Sequence, residues 1–335
     1  MDAKRTILAF LAKRRGATGG ELRAHLGITR QAMSPHLRAL IREGRVLKSG
    51  STRGARYALA GQRVPAATRS LALPLRGADE ARVYEGLVTT LNLKSQLRPS
   101  QEGILHYAFT EMLNNAIEHS GSERAEVRVS LTPAAVRFEV RDRGIGVFQS
   151  IRAKFGLADE AAALVELLKG KTTTMRERHS GEGIFFTSRA ADGLVLESHR
   201  MRVEWSRPRG DVFVSQRRFL TGTRVAFELE RATRRRLEDV FGEFAPAEYD
   251  YRFEKTRVAV RLLQSEYVSR SEAKRLLTNL EKFRDVALDF EGVRTLGQGF
   301  ADEVFRVFAA AHPETTLTVE NANQAVAAMI RHAGG

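Results

Sequence analysis

A change of hydrophobic period around residue 120 constrains this chain's fold more than any other feature. From Ser100, an N-cap candidate, Leu105, Ala108/Phe109, Met112 and Ala116 recur at helical spacing and mark one apolar face. The run AEVRVSLTPAAVRFEVRDRGIGVF that follows alternates apolar and polar residues, as the two strands of a hairpin do. The helix is also more polar than a core helix should be. Its segment TEMLNNAIEHS sets Glu111 and Asn115 four apart, and therefore on one side, with Glu118 and His119 a turn further on. A carboxylate and an amide held against a core cost desolvation energy unless a ligand satisfies them.

Further signals lie downstream. The hairpin ends in Asp142-Arg143-Gly144-Ile145-Gly146, where two glycines let backbone pass close under a planar ligand and Asp142 can accept a hydrogen bond from an exocyclic amine. A helical stretch, ADEAAALVELLKG, leads to Ser180-Gly181-Glu182-Gly183 before an apolar helix start, where free N–H groups would face phosphates. Gly222-Thr223 is read as opening the strand GTRVAFELE.

Charge separates a different module. The net charge is +14, and Met1 to Ala60 hold thirteen Lys/Arg against Asp2, Glu21 and Glu43, so +10 of it sits there. Apolar spacing over the same residues (Ile7, Phe10, Leu11; Leu22, Leu26; Met33, Leu37, Leu40, Ile41) predicts three short helices, with Gly27 in the turn between the second and third. The segment LGITRQAMSPHLRALIREGRV resembles the turn and recognition helix of winged helix-turn-helix regulators. VLKSGSTRGARYALA then reads as a hairpin wing bending at Gly50 and Gly54. With Thr29 as N-cap, Arg30, Gln31 and Ser34 fall at the groove-facing end, His36 and Arg38 within reach of the backbone, and Lys48, Arg53 and Arg56 on the wing as phosphate contacts. The alternative is a charged three-helix unit that docks protein.

TEMLNNA, DRGIG, SGEGI and GT, in that order, resemble the N box, two glycine boxes and final strand of the GHKL ATPase superfamily, over about residues 80 to 230. The resemblance implies a mixed antiparallel sheet with helices on one face, and an ATP site in which Asn115 holds Mg²⁺ and Glu111 activates the attacking water or hydroxyl. It places Asp142 and Thr223 on adenine, Gly144 and Gly146 around the adenine slot, and Gly181 and Gly183 on the phosphates. Lys169 to Arg178 become a lid whose Lys171, Arg176 or Arg178 closes on the γ-phosphate. The tail alternates strand and helix, with Val286 to Phe290 a short buried strand and Phe300 to Phe308 a helix, and looks like a STAS-like domain. Where anti-sigma antagonists present a phosphorylated serine, this chain has Leu296-Gly297-Gln298-Gly299 and no hydroxyl.

The expected chain is thus a multidomain α/β protein: a mostly α winged helix (1–62), a linker (63–79) whose Pro65 to Asp79 stretch reads as a linker or an edge-forming segment, a GHKL α/β sandwich (80–232) and a small STAS-like α/β domain (250–335). It reads as an ATP-binding transcription regulator with partners ATP, Mg²⁺, double-stranded DNA and a protein docked on the STAS-like domain; a homodimer stays open. The rivals are an anti-sigma-type serine/threonine kinase acting on a separate partner and a non-hydrolysing scaffold. The chain has no cysteine, which excludes disulfides, thiolate metal sites and thiol nucleophiles. No apolar run approaches a membrane span, and the N-terminus lacks a signal peptide's cleavage region, so a cytoplasmic protein is expected.

Overall fold

The computed structural model describes residues 3–14, 16–49, 55–59, 67–132, 134–170, 182–250, 252–262 and 266–334. The chain forms two compact units. The first takes Met1–Gly146, Ala190–Asp211 and Gln216–Leu237; the second takes Val147–Arg189, Val212–Ser215 and Glu238–Gly335.

The first unit begins with helices α1 (Ala3–Ala12), α2 (Gly19–Leu26) and α3 (Arg30–Arg42), as the apolar spacing predicts, and a small sheet of β1 (Ala17–Thr18), β3 (Arg56–Leu59) and β2 (Val46–Ser49) in that order. Local chemistry sets the boundaries. Thr18 and Glu21 cap α2 reciprocally, the Glu21 N–H donating to Thr18 Oγ1 (3.2 Å) and the Thr18 N–H to Glu21 Oε2 (2.6 Å). Gly27 ends α2 in the left-handed region at φ 65, and Thr29 Oγ1 accepts the Ala32 N–H (3.2 Å) at the start of α3. That helix passes unbroken through Pro35. Ile7, Leu11, Leu22, Met33, Leu37, Leu40 and Val46 close the core between them.

β4 (Ala67–Pro74) follows, then α4 (Glu80–Leu91), α5 (Pro99–His119), β5 (Arg124–Leu131), β6 (Ala135–Asp142), β7 (Gly193–Ser206) and β8 (Asp211–Glu230). They build a five-stranded sheet ordered β4-β5-β6-β8-β7. Of the two readings of Pro65 to Asp79, residues 67–74 take the edge-forming one: β4 pairs antiparallel with β5 over its whole length and closes one edge. The alternation from 125 onward sorts side chains as expected. Val127, Val129, Phe138, Val140 and Phe227 are buried, and Phe109 of α5 meets the Phe138 ring edge-on at 5.5 Å. Alternate positions carry ion pairs: Arg137 with Glu228 at 2.7 Å, Arg224 with Glu139 at 2.6 Å.

Two boundaries differ from the sequence reading. The N-cap of α5 is Arg98, not Ser100, because Pro99 suits the first helical position and Gln101 Oε1 accepts the Arg98 N–H (3.2 Å). Gly222 does not open a strand but lies inside β8, at φ 79. β7 folds back at His199 (φ 52), so that the Arg207 N–H reaches Asp192 O at 3.1 Å.

The second unit holds α6 (Val147–Phe155), α7 (Glu160–Lys169), α8 (Gly183–Ala190), α9 (Leu237–Phe244) and a three-stranded parallel sheet, β13 (Thr316–Glu320), β11 (Asp285–Asp289) and β9 (Lys255–Ala259) in that order. β10 (Glu266–Tyr267) pairs in parallel with β12 (Thr295–Leu296). Helices α10 (Arg270–Leu277), α11 (Gln298–Asp302), α12 (Ala309–Ala311) and α13 (Gln324–Gly334) complete it, with a π-helical turn over Glu303–Phe308 joining α11 to α12. The helix expected over Phe300 to Phe308 thus starts two residues earlier and runs on. Gly297, its N-cap, is required: a Cβ there would come within 2.6 Å of Val268 O.

Helices α6 to α8, expected with the ATPase, fall in this unit because their apolar side chains pack here. Phe185 and Phe186 contact Phe241, Phe244 and Phe253 at ring separations of 4.4 to 6.4 Å. Lys169, almost fully buried, pairs with Glu166 (2.7 Å) and donates to Thr278 O (2.5 Å), while Thr256 Oγ1 donates to Lys169 O (2.8 Å).

Candidate nucleotide site

Within the first unit the candidate residues converge where α5 ends. The Ile145 N–H donates to Ser120 O (2.8 Å), which clamps the 142–146 loop to the C-terminus of the helix bearing Glu111 and Asn115. A Cβ on Gly144 would overlap that same carbonyl, so the close approach requires glycine. Gly146 (φ 82) faces Ser198 Oγ and His199 Nε2, which a Cβ would meet at 2.5 and 2.8 Å. Gly222 (φ 79) lies against the backbone of Asp142 and Arg143. The Ser198 hydroxyl donates to Gly222 O (2.9 Å) and locks β7 to β8 at this point.

Asp142 is 4% exposed. Its Oδ1 accepts two amides, Gly144 N–H at 2.8 Å and Thr223 N–H at 3.2 Å. Thr223 thus reaches Asp142 through its backbone N–H. Burial raises the Asp142 carboxyl above the ordinary 3.8, and the amide bonds offset part of that rise. On α5, Glu111 and Asn115 are half-buried one turn apart on the same face. Asn115 Nδ2 is buried and, among the described residues, has no hydrogen-bond partner. An unmet buried amide costs about 1–3 kcal/mol, which a ligand's acceptor atom would relieve. The structure therefore brings Glu111, Asn115, Asp142, Gly144, Gly146 and Thr223 into one unit. Gly183 belongs to the second unit, where it opens α8. Lys171 and Gly181 lie outside the described residues, as do Arg176 and Arg178.

Sequence reasoning named Gly222 as a strand opening without its contact to Asp142, and missed Ser198 and Ser120, since ordinary serines acquire roles only through tertiary approach.

On α3, Arg30, Gln31 and Arg38 are exposed, and Ser34 and His36 half-buried; Arg38 donates to Ser34 Oγ through Nε (3.3 Å) and NH2 (3.1 Å). Lys48 stands near enough to Arg30 that burial and then that charge lower its pKa. Arg56 donates to Gly16 O (3.2 Å). Arg53 lies outside the described residues, together with Gly50 and Gly54.

Residues 78–205 match the histidine kinase-like ATPase domain family, and residues 272–327 match a STAS-like domain of unknown function (DUF4325). No curated protein matches the chain. The chain carries a GHKL-type ATPase domain and a C-terminal STAS-like domain, and the former implies ATP binding and a regulatory role tied to it. No described helix is long and apolar enough to cross a membrane.

Proposed function

We propose that this chain is an ATP-gated transcription regulator, in which ATP binding in the GHKL domain sets the activity of an N-terminal winged helix on double-stranded DNA and the STAS-like domain docks a protein partner. The observation that carries the nucleotide half is the arrangement at Asp142. A buried carboxylate is fixed by two amides on one oxygen, so its other oxygen suits an exocyclic amine, and Gly144, Gly146 and Gly222 stand where any Cβ would collide. The donor set fits adenine and a triphosphate. Asn115 would hold Mg²⁺ through Oδ1, and its unpartnered Nδ2 would donate to a ligand oxygen. Among the described residues no group of three or more His, Asp or Glu side chains is placed to hold a metal ion, so Mg²⁺ would be held here by Asn115 and the bound phosphates. The ion, when bound, neutralises phosphate charge. Glu111 takes or orients the proton of the attacking oxygen. The resemblance assigns Gly181, Gly183 and Lys171 to phosphate binding; Lys171 and Gly181 lie outside the described residues.

The DNA half is supported by the +10 charge of residues 1–60 and by Arg30 and Gln31 exposed on the first turn of a Thr29-capped helix. The test is a binding titration near physiological salt on DNA fragments flanking the protein's own gene, with and without Mg-ATP. Preferred binding to one fragment that changes with nucleotide supports the reading. Equal binding to all fragments in both states ends the transcriptional reading, and transfer of labelled phosphate to protein would put a GHKL kinase in its place.

A further inference from the structure

Beside α3 lies a cavity of ≈ 500 Å³ that the nucleotide site does not touch. Arg23, Arg30, Arg38 and Lys48 line it, and no carboxylate does. Arg23, Arg30 and Lys48 have no acidic partner among the described residues, and Arg38 has only the Ser34 hydroxyl. Residues 50–54, Gly-Ser-Thr-Arg-Gly, contain no acid either. The lowered pKa of Lys48, from burial and then from Arg30, agrees with a cluster of like charges that nothing compensates. Beneath the cations the wall is apolar, from Met33, Leu37, Ile41 and the Tyr57 ring. Asn92 and Ser95, from the turn after α4, form a further wall.

We infer that this cavity is a binding site for a small organic phosphate with an aromatic or aliphatic body. Like charges gathered without acids are stabilised by a multiply charged anion, and guanidinium groups are suited to phosphate by their paired N–H donors. The apolar wall selects a ligand with a body over inorganic phosphate. Small ligand and DNA then compete for Arg30, Ser34 and Arg38, so the cavity is an effector site. The inference rests on the first sixty residues and their neighbouring turn and on no part of the nucleotide assignment.

The experiment is calorimetric titration of the full chain with phenyl phosphate, beside phenol and inorganic phosphate as partial probes, in the presence of a non-hydrolysable ATP analogue. Phenyl phosphate should bind at least tenfold more tightly than either fragment. The double substitution Arg30→Gln/Arg38→Gln, and separately Lys48→Gln, should weaken it tenfold or more. These cations make no ion pair with a described residue, so the variants should keep the wild-type thermal midpoint or exceed it; a fall of many degrees would contradict the uncompensated cluster itself. Phenyl phosphate binding that ignores both cation variants overturns the proposal. So does a chain that binds a short duplex through Arg30 and Arg38 but never binds phenyl phosphate, because the cavity is then only a DNA face.

Discussion

At the scale of single residues, Asp142 carries opposite demands. Its carboxyl is held above 3.8 by burial, so the folded state binds a proton more readily than the unfolded state does. Stability from this group is present at low pH and is lost as pH rises from the ordinary value through the raised one. At pH 7 the ionised side chain is a cost to the empty fold. Asp142→Asn keeps an oxygen for the Gly144 and Thr223 amides and removes that charge, so it should leave the thermal midpoint unchanged or higher at pH 7, with the gain vanishing near pH 3. On the proposed adenine contact, the same change would remove a charge-assisted hydrogen bond of about 1.5–3 kcal/mol, and ATP affinity should fall about tenfold or more. Calorimetry and thermal scans on one preparation separate the two effects; unchanged ATP affinity removes Asp142 from the site. On α5, Glu111→Gln should retain ATP and slow its turnover roughly a hundredfold, whereas Asn115→Ala should lose Mg²⁺-dependent affinity, read by titrations with and without the ion. The close backbone approach at Asp142, Gly144 and Gly146 was legible in the sequence because they are near neighbours along it and glycine spacing is itself a backbone statement. Ser120 and Ser198 were not, because their contacts to the loop and to Gly222 cross long separations that no local pattern encodes.

At the scale of elements, periodicity located α1 to α3, α5, the 124–142 hairpin and α7, where one face is buried and the other wet. It failed where context overrides pattern. Residues 67–74 end in Pro74 and have no sustained period, so pattern alone left a linker or an edge; they form an edge strand, since an edge needs only one side of its backbone paired. The charged end of α7 shows the same limit. Lys169, where the sequence reading begins a lid, instead ends α7 with its ammonium buried against Glu166, whose Oε2 accepts from Asn279 Nδ2 at 2.6 Å. Burial lowers the Lys169 pKa and Glu166 opposes the fall. Breaking such a pair from one side leaves an uncompensated buried charge, so Lys169→Met should cost about 3–5 kcal/mol in urea unfolding. Lys169→Met/Glu166→Met should recover much of the loss, because it removes both charges and adds apolar volume. Equal losses in single and double variants would show that Thr278 and Asn279, rather than the ion pair, hold the helix.

At the scale of the whole molecule, the two domain matches and the two compact units divide the chain differently. Residues 78–205 match an ATPase domain, yet α6, α7 and α8 within that range belong to the unit that contains the STAS-like segment 272–327. Sequence motifs follow ancestry along the chain, whereas compactness follows burial, and here the burial is aromatic. Phe185 and Phe186 are buried at 3% and 1%, and Phe253, at 3%, lies beyond the end of the motif-bearing segment. Its ring sits 4.6 Å from Phe185 and 5.0 Å from Phe186, and a Cβ on Gly170 would strike both Phe185 and Phe253 at 2.7 Å. A fragment ending at residue 232, which the motifs alone would recommend, removes Phe241, Phe244, Phe253, Thr256 and Thr278 together. It strips α7 and α8 of their apolar partners and leaves Lys169 without its carbonyl acceptor. Such a fragment should aggregate, or expose apolar surface to a hydrophobic dye, while the full chain does not. Phe253→Ala in the full chain tests the same packing without truncation and should destabilise the second unit by about 3–5 kcal/mol. Two unfolding steps, with only one of them shifted by Phe253→Ala, are expected in denaturant. A fragment 1–232 that stays monomeric and melts cooperatively would mean that α6 to α8 find their core without the STAS-like segment.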